Sequence, residues 1–503
     1  MADGSREPVP NSVAHAPPWA GTAFWIVVAA LAIHCAISTC DHDEIEHLHA
    51  AWLVADGQRP FVDFLEHHPP ALWYALAPIV RAFEGELQSA ILICRLVNLG
   101  ALVLSLAALR RFGGRAAPLA ILLLLGSWLH LRNSIEIRPD ALMAALCSAA
   151  LLAWLRHLRS GGARSALLAG ACAGAATAVL QKGAAFSVLL LLGTFLAAWG
   201  RPAWRATARG AMLFAAAAAV PVGVLAFALW RAGMWTEFWF WNFSFNQFAY
   251  LQAQVAVLSP WSTLGVALAD QPLLWLAGLA SAAQASYRFL RGDRRAEPAQ
   301  LVCAVLVFGL LAGLAASSFP FSHNLLMVAP PLALLGADLL EESPRATMAA
   351  TWICGLLIAK TLIFSALYRE NAGHRQVQEW LLAHTRPGDT VHVPPPYHPV
   401  FRRDAGYFWF DASLKTSLFE QICPPLMCAR VWGEDESRWE SRPPVFVYLA
   451  PGERAWWPSR WSAVADRYRP DVEVPGLYRL AREPVSVRGV PPGCEHAGAK
   501  CLP

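Results

Sequence analysis

Thr22-Ala23-Phe24-Trp25-Ile26-Val27-Val28-Ala29-Ala30-Leu31-Ala32-Ile33-His34-Cys35-Ala36-Ile37-Ser38-Thr39-Cys40 runs directly into Asp41-His42-Asp43-Glu44-Ile45-Glu46-His47-Leu48-His49. The first half has the length of a membrane crossing, which takes about 20 mostly apolar residues. The second half is dense in carboxylates and imidazoles. An apolar run with a charged mouth recurs along the chain. Eleven such runs are found near 22–40, 88–109, 116–131, 140–156, 164–180, 184–200, 210–230, 262–285, 299–317, 324–340 and 347–368. They predict an all-α polytopic membrane protein of about 11 transmembrane helices. Composition agrees: 56% of the 503 residues are hydrophobic and 15% charged, against about 25% charged in soluble domains. The mean hydropathy is +0.39. With Gly 34, Pro 36 and Cys 11, collagen-like, low-complexity and small disulfide-stapled chains are excluded as well.

Basic residues set the orientation. With residues 1–21 as a cytoplasmic tail, the inside loops hold Arg110, Arg111, Arg115, Arg156, Arg159, Arg164, Arg201, Arg205, Arg209, Arg288, Arg291, Arg294, Arg295 and Arg345. The opposite loops hold far fewer, so the N-terminus is expected inside. The net charge of +4 is spread over these short loops, and no nucleic-acid partner is implied. The first apolar run is read as a retained anchor rather than a cleaved signal, because the Pro-rich segment before it carries Arg6 as its one basic residue. The membrane part is expected over 22–368, and an odd number of spans puts residues 369–503 outside. There Pro, Arg and Trp rise, and Thr390-Val391-His392-Val393 and Val445-Phe446-Val447-Tyr448-Leu449 read as strands of an α/β or α+β domain. Cys423, Cys428, Cys494 and Cys501 form an even set there, which an oxidising compartment would allow to pair.

Polar groups at membrane depth are costly and tend to mark function. On this topology they gather on one side: the Asp41 to His49 stretch, Asp63-Phe64-Leu65-Glu66-His67-His68-Pro69-Pro70, Arg138-Pro139-Asp140, Gln181-Lys182-Gly183 and Phe319-Pro320-Phe321-Ser322-His323-Asn324. One face with carboxylates, basic groups and histidines beside a bilayer suits an enzyme acting on a phosphorylated lipid. A secondary transporter would place its charges at the midplane within internal repeats, and no repeat is evident.

Asp43-Glu44, then Gly57-Gln58-Arg59-Pro60-Phe61-Val62-Asp63-Phe64, then His67-His68-Pro69-Pro70-Ala71-Leu72-Trp73-Tyr74 resemble the first outside loop of family 39/83-type glycosyltransferases. These are GT-C membrane enzymes related to protein O-mannosyltransferases and aminoarabinose transferases. Arg138-Pro139-Asp140 resembles the family's second acidic element, the Lys182 segment its basic loop, and His323 through Pro331 its late helix. The resemblance covers roughly 20–368. It implies a bacterial inner-membrane enzyme with a periplasmic C-terminal domain. The implied reaction moves a sugar from a polyprenyl-phosphate donor to an acceptor hydroxyl on a glycan, lipid or protein, with inversion and no required cofactor. A ligase taking oligosaccharide from a polyprenyl diphosphate is the alternative within the same fold.

On that resemblance Asp43 is the general base, with Asp41 the nearest competitor and Glu44 in support. Asp43 and Glu46 also read as a capping box. Asp140 reads either as a substrate-binding acid or as a helix N-cap. Arg138 offers a fork for phosphate. Lys182 reads as a second phosphate contact or as snorkelling to headgroups, and His323 as a phosphate contact or a hydrogen bond at a helix entrance. Asp63, His67 and His68 are expected to line the pocket, with Pro69-Pro70 forcing an extended wall. Glu46 and His49 share a helix face and suit Zn or Mn, although no repeated ligand motif supports a bound metal. The aromatic segment Trp235 to Tyr250 reads as an interfacial helix or as the entry for the polyprenyl chain. Arg95 and Lys360 each need a partner or a path to water.

Overall fold

The computed structural model describes residues 19–38, 40–199, 204–246, 259–293, 297–317, 320–367, 372–407, 438, 441–449 and 467–481. The chain forms two compact units, Met1–Gln376 and Val377–Pro503. Cys423, Cys428, Cys494 and Cys501 lie outside the described residues.

In the first unit the helices are α1 Trp19–Ile37, α2 His42–Ala55, α3 Ala71–Ala82, α4 Leu87–Phe112, α5 Ala117–Leu125, α6 Trp128–Ile135, α7 Pro139–Ser160, α8 Ala163–Val179, α9 Lys182–Ala198, α10 Trp204–Arg231 and α11 Trp235–Trp239. They continue with α12 Pro260–Asp270, α13 Pro272–Leu290, α14 Pro298–Ala315, α15 Ala329–Glu341 and α16 Pro344–Leu367. Among the described residues, six helices are long and apolar enough to cross a membrane, namely α1, α4, α7, α10, α14 and α16. The chain is a multi-pass membrane protein. Every one of the eleven apolar runs is helical, but two are bent pairs, and counting each pair as one span gives up to eight candidate crossings among the described residues, fewer than the eleven expected. The run at 116–131 breaks between α5 and α6 with an 81° bend, and the run at 262–285 breaks between α12 and α13 with a 113° bend.

Both breaks have local causes. Ser127 caps α6 by accepting the His130 N–H at 3.2 Å, and Pro272 opens α13 at its first turn. The two breaks also hold each other. Asp270 accepts from Ser127 Oγ at 2.7 Å, from the Leu129 N–H at 3.1 Å and from Lys360 Nζ at 2.7 Å. Gln271 Nε2 donates to the Leu123 carbonyl at 3.0 Å. Lys360 therefore meets its need for a partner at a place where helix ends leave backbone groups unpaired. Elsewhere close helix packing relies on missing side chains. A Cβ on Gly170 or Gly174 would collide with the α10 backbone at Phe214 or Ala218, so these glycines permit the α8 and α10 axes to approach. One apolar core, with Leu122, Leu123, Leu151, Trp154, Phe186, Val302 and Leu332 among its most buried members, joins the helices.

The second unit begins within helix α17, Ala372–His384. Its sheet has five strands, β1 Thr390–His392, β2 Arg403–Asp404, β3 Phe446–Tyr448, β4 Tyr468–Pro470 and β5 Leu477–Leu480, in the order β2-β1-β3-β5-β4. β1 runs parallel to β2 and β3, and β5 runs antiparallel to β3 and β4. Leu381 of α17 packs with Val391, Phe446 and Leu477. Both stretches expected to be strands are present.

Candidate active site

The site starts at the mouth of α1. Asp41 is the N-cap of α2, and Glu44, three residues on, reaches back to accept the Asp41 N–H at 3.1 Å. The capping box is thus Asp41 with Glu44, two residues before the expected Asp43 with Glu46. Asp43 is released from capping. Glu44 turns inward, with 1% of its surface exposed, and takes a two-point bond from Arg95, Nε to Oε1 at 2.8 Å and Nη2 to Oε2 at 2.5 Å. Arg95 spends its remaining donors on the carbonyls of Cys35 and Ser38 and on Ser38 Oγ. The Ile137 N–H donates to Glu44 Oε1 at 3.1 Å. This pair ties α1, α2, α4 and the start of α7 together, and it supplies the partner that Arg95 needs within a span.

Asp43 is about a third exposed and contacts Arg138. Arg138, the N-cap residue of α7, is shared: its Nη1 also donates to His323 Nδ1 at 3.0 Å and lies 3.5 Å from Glu136. A donated bond at Nδ1 leaves the proton of a neutral His323 on Nε2, which faces Asp140 at 4.0 Å. Burial, the largest influence, pulls the His323 imidazolium down to about 3. Asp140 accepts from Lys182 Nζ at 2.9 Å, and Lys182 donates also to Asn324 Oδ1 at 2.5 Å. Four segments far apart in sequence therefore build one continuous line, Asp43, Arg138, His323, Asp140, Lys182 and Asn324. The alternative of Asp140 as N-cap is not what forms. Pro139 takes the first helical position and Asp140 the first turn, where its charge complements the helix dipole. Lys182, at the start of α9, points to a carboxylate and an amide at this mouth.

A second line runs behind the first. Arg132 lies 2.9 Å from Glu136 and 3.7 Å from Asp41. Glu136 thereby links the arginines that hold Asp41 and Asp43. Neither Arg132 nor Glu136 was singled out from sequence. Both lie within eight residues of Asp140 and precede the Arg138 motif, so spacing along the short α6 was the available signal.

The wall at His67-His68-Pro69-Pro70 is irregular backbone, as the prolines require, and α3 starts at Ala71. His67 and His68 stack with ring centres 4.0 Å apart, and the His68 Nδ1 lies 3.7 Å from Glu66. Burial holds the His68 imidazolium well below its usual range, and holds the Glu66 carboxyl well above its own. Asp63 has a different setting. It accepts the Arg59 N–H at 2.7 Å and pairs with the Arg59 guanidinium at 3.2 Å, so it orders the turn that starts the wall. Behind the wall, Phe238 packs edge-on to Phe61, and Asn246 Nδ2 donates to the His67 carbonyl at 2.9 Å. The aromatic segment thus braces the first loop. Trp239 is 51% exposed and Trp241 is buried, so one side faces outward and the other supports the site. Residues 247–258, including the end of that segment, lie outside the described residues.

The fold has known counterparts. A family described as dolichyl-phosphate-mannose-protein mannosyltransferase matches residues 67–230. The match begins in the histidine wall and runs through Arg138, Asp140 and Lys182, leaving Asp43 and His323 on either side. The crystal structure of ArnT from Cupriavidus metallidurans in the apo state superposes with a TM-score of 0.56 at 15% identity, covering 89% of this chain and 94% of that one. The same protein bound to undecaprenyl phosphate gives 0.54 at 16% identity, covering 73% of this chain and 69% of that one. The oligosaccharyltransferase of Archaeoglobus fulgidus in the apo form gives 0.52 at 13% identity, covering 85% and 69%. No curated protein sequence matches the chain. The resemblance drawn from the first loop is borne out by these matches, and the fold is the GT-C fold.

Proposed function

We propose that this protein is a membrane glycosyltransferase that moves a sugar from a polyprenyl-phosphate donor to an acceptor hydroxyl on the periplasmic face of a bacterial inner membrane, with inversion. The observation that carries this reading is the convergence of Asp43, Arg138, His323, Asp140 and Lys182 at one mouth, although they lie on four separate segments. A lipid phosphate needs cations at the membrane edge, and a hydroxyl nucleophile needs a carboxylate. The site holds both. The undecaprenyl phosphate bound by ArnT makes a polyprenyl phosphate the donor carrier of choice.

Asp43 accepts the acceptor's proton as its oxygen bonds to the anomeric carbon. The bond from that carbon to the phosphate oxygen breaks, and its electrons leave with the polyprenyl phosphate. Arg138 and Lys182 meet the charge that grows there. Arg138 contacts Asp43. An incoming phosphate competes for the same guanidinium and frees the carboxylate, so donor binding would switch the base on. Asp140 and His323 orient the two cations, Glu44 holds α2 in place, and His67 and His68 bound the pocket. No step calls for a cofactor.

Reconstitution in liposomes with short-chain polyprenyl-phosphate sugars tests the reading, with donor and product followed by mass spectrometry. Turnover of monophosphate donors supports it. Turnover confined to diphosphate-linked oligosaccharides would replace it with the ligase reaction, and transport of intact donor without a new glycosidic bond would refute both.

A further inference from the structure

At the end of α4 and α7 opposite the mouth, the chain carries arginines that the transfer chemistry does not use. Arg111 lies in the last turn of α4, and Arg156 lies just before the last turn of α7. Both guanidiniums sit over one ring, that of Phe112, at 5.7 Å and 5.0 Å from its centre. Arg159 fixes the backbone of that ring, its Nη1 donating to the Phe112 carbonyl at 2.9 Å. Toward the mouth, an apolar slot runs along the seam of the two helices, lined by Leu102, Leu106 and Leu109 of α4 and by Ser148, Leu151 and Leu152 of α7. We infer that slot and arginines together form a binding site for one anionic phospholipid of the leaflet opposite the mouth, with its phosphate on Arg111 and Arg156 and one acyl chain in the slot.

The charges call for an anion. An arginine over an aromatic face is favourable by itself, but two over the same ring bring like charges together, and they repel. Both are exposed, and among the described residues no carboxylate forms an ion pair with either. The acids of this end are engaged elsewhere: Glu341 pairs with Arg115 at 3.4 Å, and Asp338 acts on Arg159. A phosphodiester between the two guanidiniums offsets their repulsion and accepts hydrogen bonds from both. Complementing a helix dipole accounts for an arginine at each helix end. It does not account for two helices turning theirs onto a single ring.

The slot calls for a lipid rather than a free ion. Leu109 and Phe112 stand three residues apart, and Leu152 and Arg156 four, so the same helix faces carry the slot and the cluster. The hydroxyl of Ser148 is spent on its own helix, donating to the Ala144 carbonyl at 2.8 Å. Leu102 to Leu109 rises about 10 Å, enough for the first part of an acyl chain. Ser105 and Ala145, which also line the slot, are half-buried, and Leu104 beside them is 72% exposed. The slot therefore lies at the bilayer-facing edge of the seam, where a chain enters sideways from the leaflet. Basic groups at the membrane surface draw anionic lipid to that place.

This inference does not depend on the transferase reading, and its test reads bound lipid rather than turnover. The full-length protein is delipidated in detergent, incubated with equal amounts of phosphatidylglycerol and phosphatidylcholine of the same acyl chains, and released for native mass spectrometry. One phosphatidylglycerol per chain is expected, held in preference to phosphatidylcholine. The double change Arg111→Gln with Arg156→Gln should weaken that binding about 30-fold. Folded Ser148→Phe, which fills the slot, should weaken it with both arginines in place. Arg291→Gln removes another helix-end arginine, one that lies 5.2 Å from the Tyr287 ring centre, and should leave binding unchanged. Phosphatidylglycerol should also raise the melting temperature of the wild type more than that of the double variant. Equal retention of the two lipids would overturn the site. So would a loss in Arg291→Gln as large as in the double variant, which would reduce the effect to general charge attraction. Displacement by inorganic phosphate alone would make the arginines a free-anion site, and displacement by an equal amount of short-chain polyprenyl phosphate would give the slot to the donor; either result would refute a phospholipid there.

Discussion

Asp43 and Glu44 are adjacent, both acidic and both paired with arginine, yet they sit in opposite environments. Glu44 and Arg95 are buried and saturated: both carboxylate oxygens and the guanidinium have several partners spread over four elements. Asp43 and Arg138 form the looser pair. Asp43 is about a third exposed, and its arginine is divided among Asp43, His323 and Glu136. A saturated pair can only hold, since exchanging any partner leaves a charge unmatched in the interior. A shared pair at a mouth can trade partners with a ligand. Two consecutive acids are thus divided into a scaffold residue and a reactive one by the step of about 100° around the helix between them.

That contrast can be broken most forcefully on the scaffold side. Arg95→Met should destabilise the first unit by about 3–5 kcal/mol, because Glu44 is left buried without its counter-charge. Thermal unfolding of the purified protein in detergent should show this, and the double change Arg95→Met with Glu44→Gln should recover much of the loss. A single variant as stable as wild type would mean that the pair is not a scaffold.

The clasp between the broken helices is the next test. Asp270→Asn keeps the shape but weakens bonds to Ser127, Leu129 and Lys360, at an expected cost of about 1–3 kcal/mol. Limited proteolysis and melting should report it, with Asp43-dependent turnover retained in the folded fraction. At the mouth, Arg138→Lys keeps the charge and loses the fork. It should raise the donor KM roughly 10-fold and leave the acceptor KM near wild type, and an equal rise in both would place Arg138 outside the phosphate contact.

A further test concerns pH. His323 has a depressed value of about 3 in the fold against an ordinary 6.5. Between these values the unfolded chain binds a proton that the folded chain does not, so stability rises with pH through that window and is lost on acidification. His323→Asn should flatten the slope by up to about 1.4 kcal/mol per pH unit. Melting curves from pH 4 to 7 read the difference.

Much of this was legible in the sequence because bilayers impose strong rules. Apolar length located the eleven apolar helical runs, whereas α3 in the first loop and Pro139 at the first position of α7 were not foreseen. The clustering of Arg138, Lys182 and His323 on one side followed from loop parity. What stayed hidden depends on a register or on contacts between distant segments. The capping box lies two residues before the expected one because Asp41-x-x-Glu44 and Asp43-x-x-Glu46 fit the same pattern, and only burial of Glu44 against Arg95 selects between them. The bends at Ser127 and Gln271 were missed because an apolar run keeps its hydropathy through a break. Glu136 and Arg132 were missed because a charge near a helix end is usually solvated, whereas these two face each other at 2.9 Å.

The most direct measurement compares wild type with Asp43→Asn in liposomes, reading polyprenyl-phosphate binding and sugar transfer in the same preparation. The account predicts that the variant melts like wild type and binds donor at least as tightly, because Arg138 is released to the phosphate. It predicts that transfer falls by about 10²–10⁴-fold. Transfer at the wild-type rate by the folded variant would contradict the assignment of Asp43 as the base.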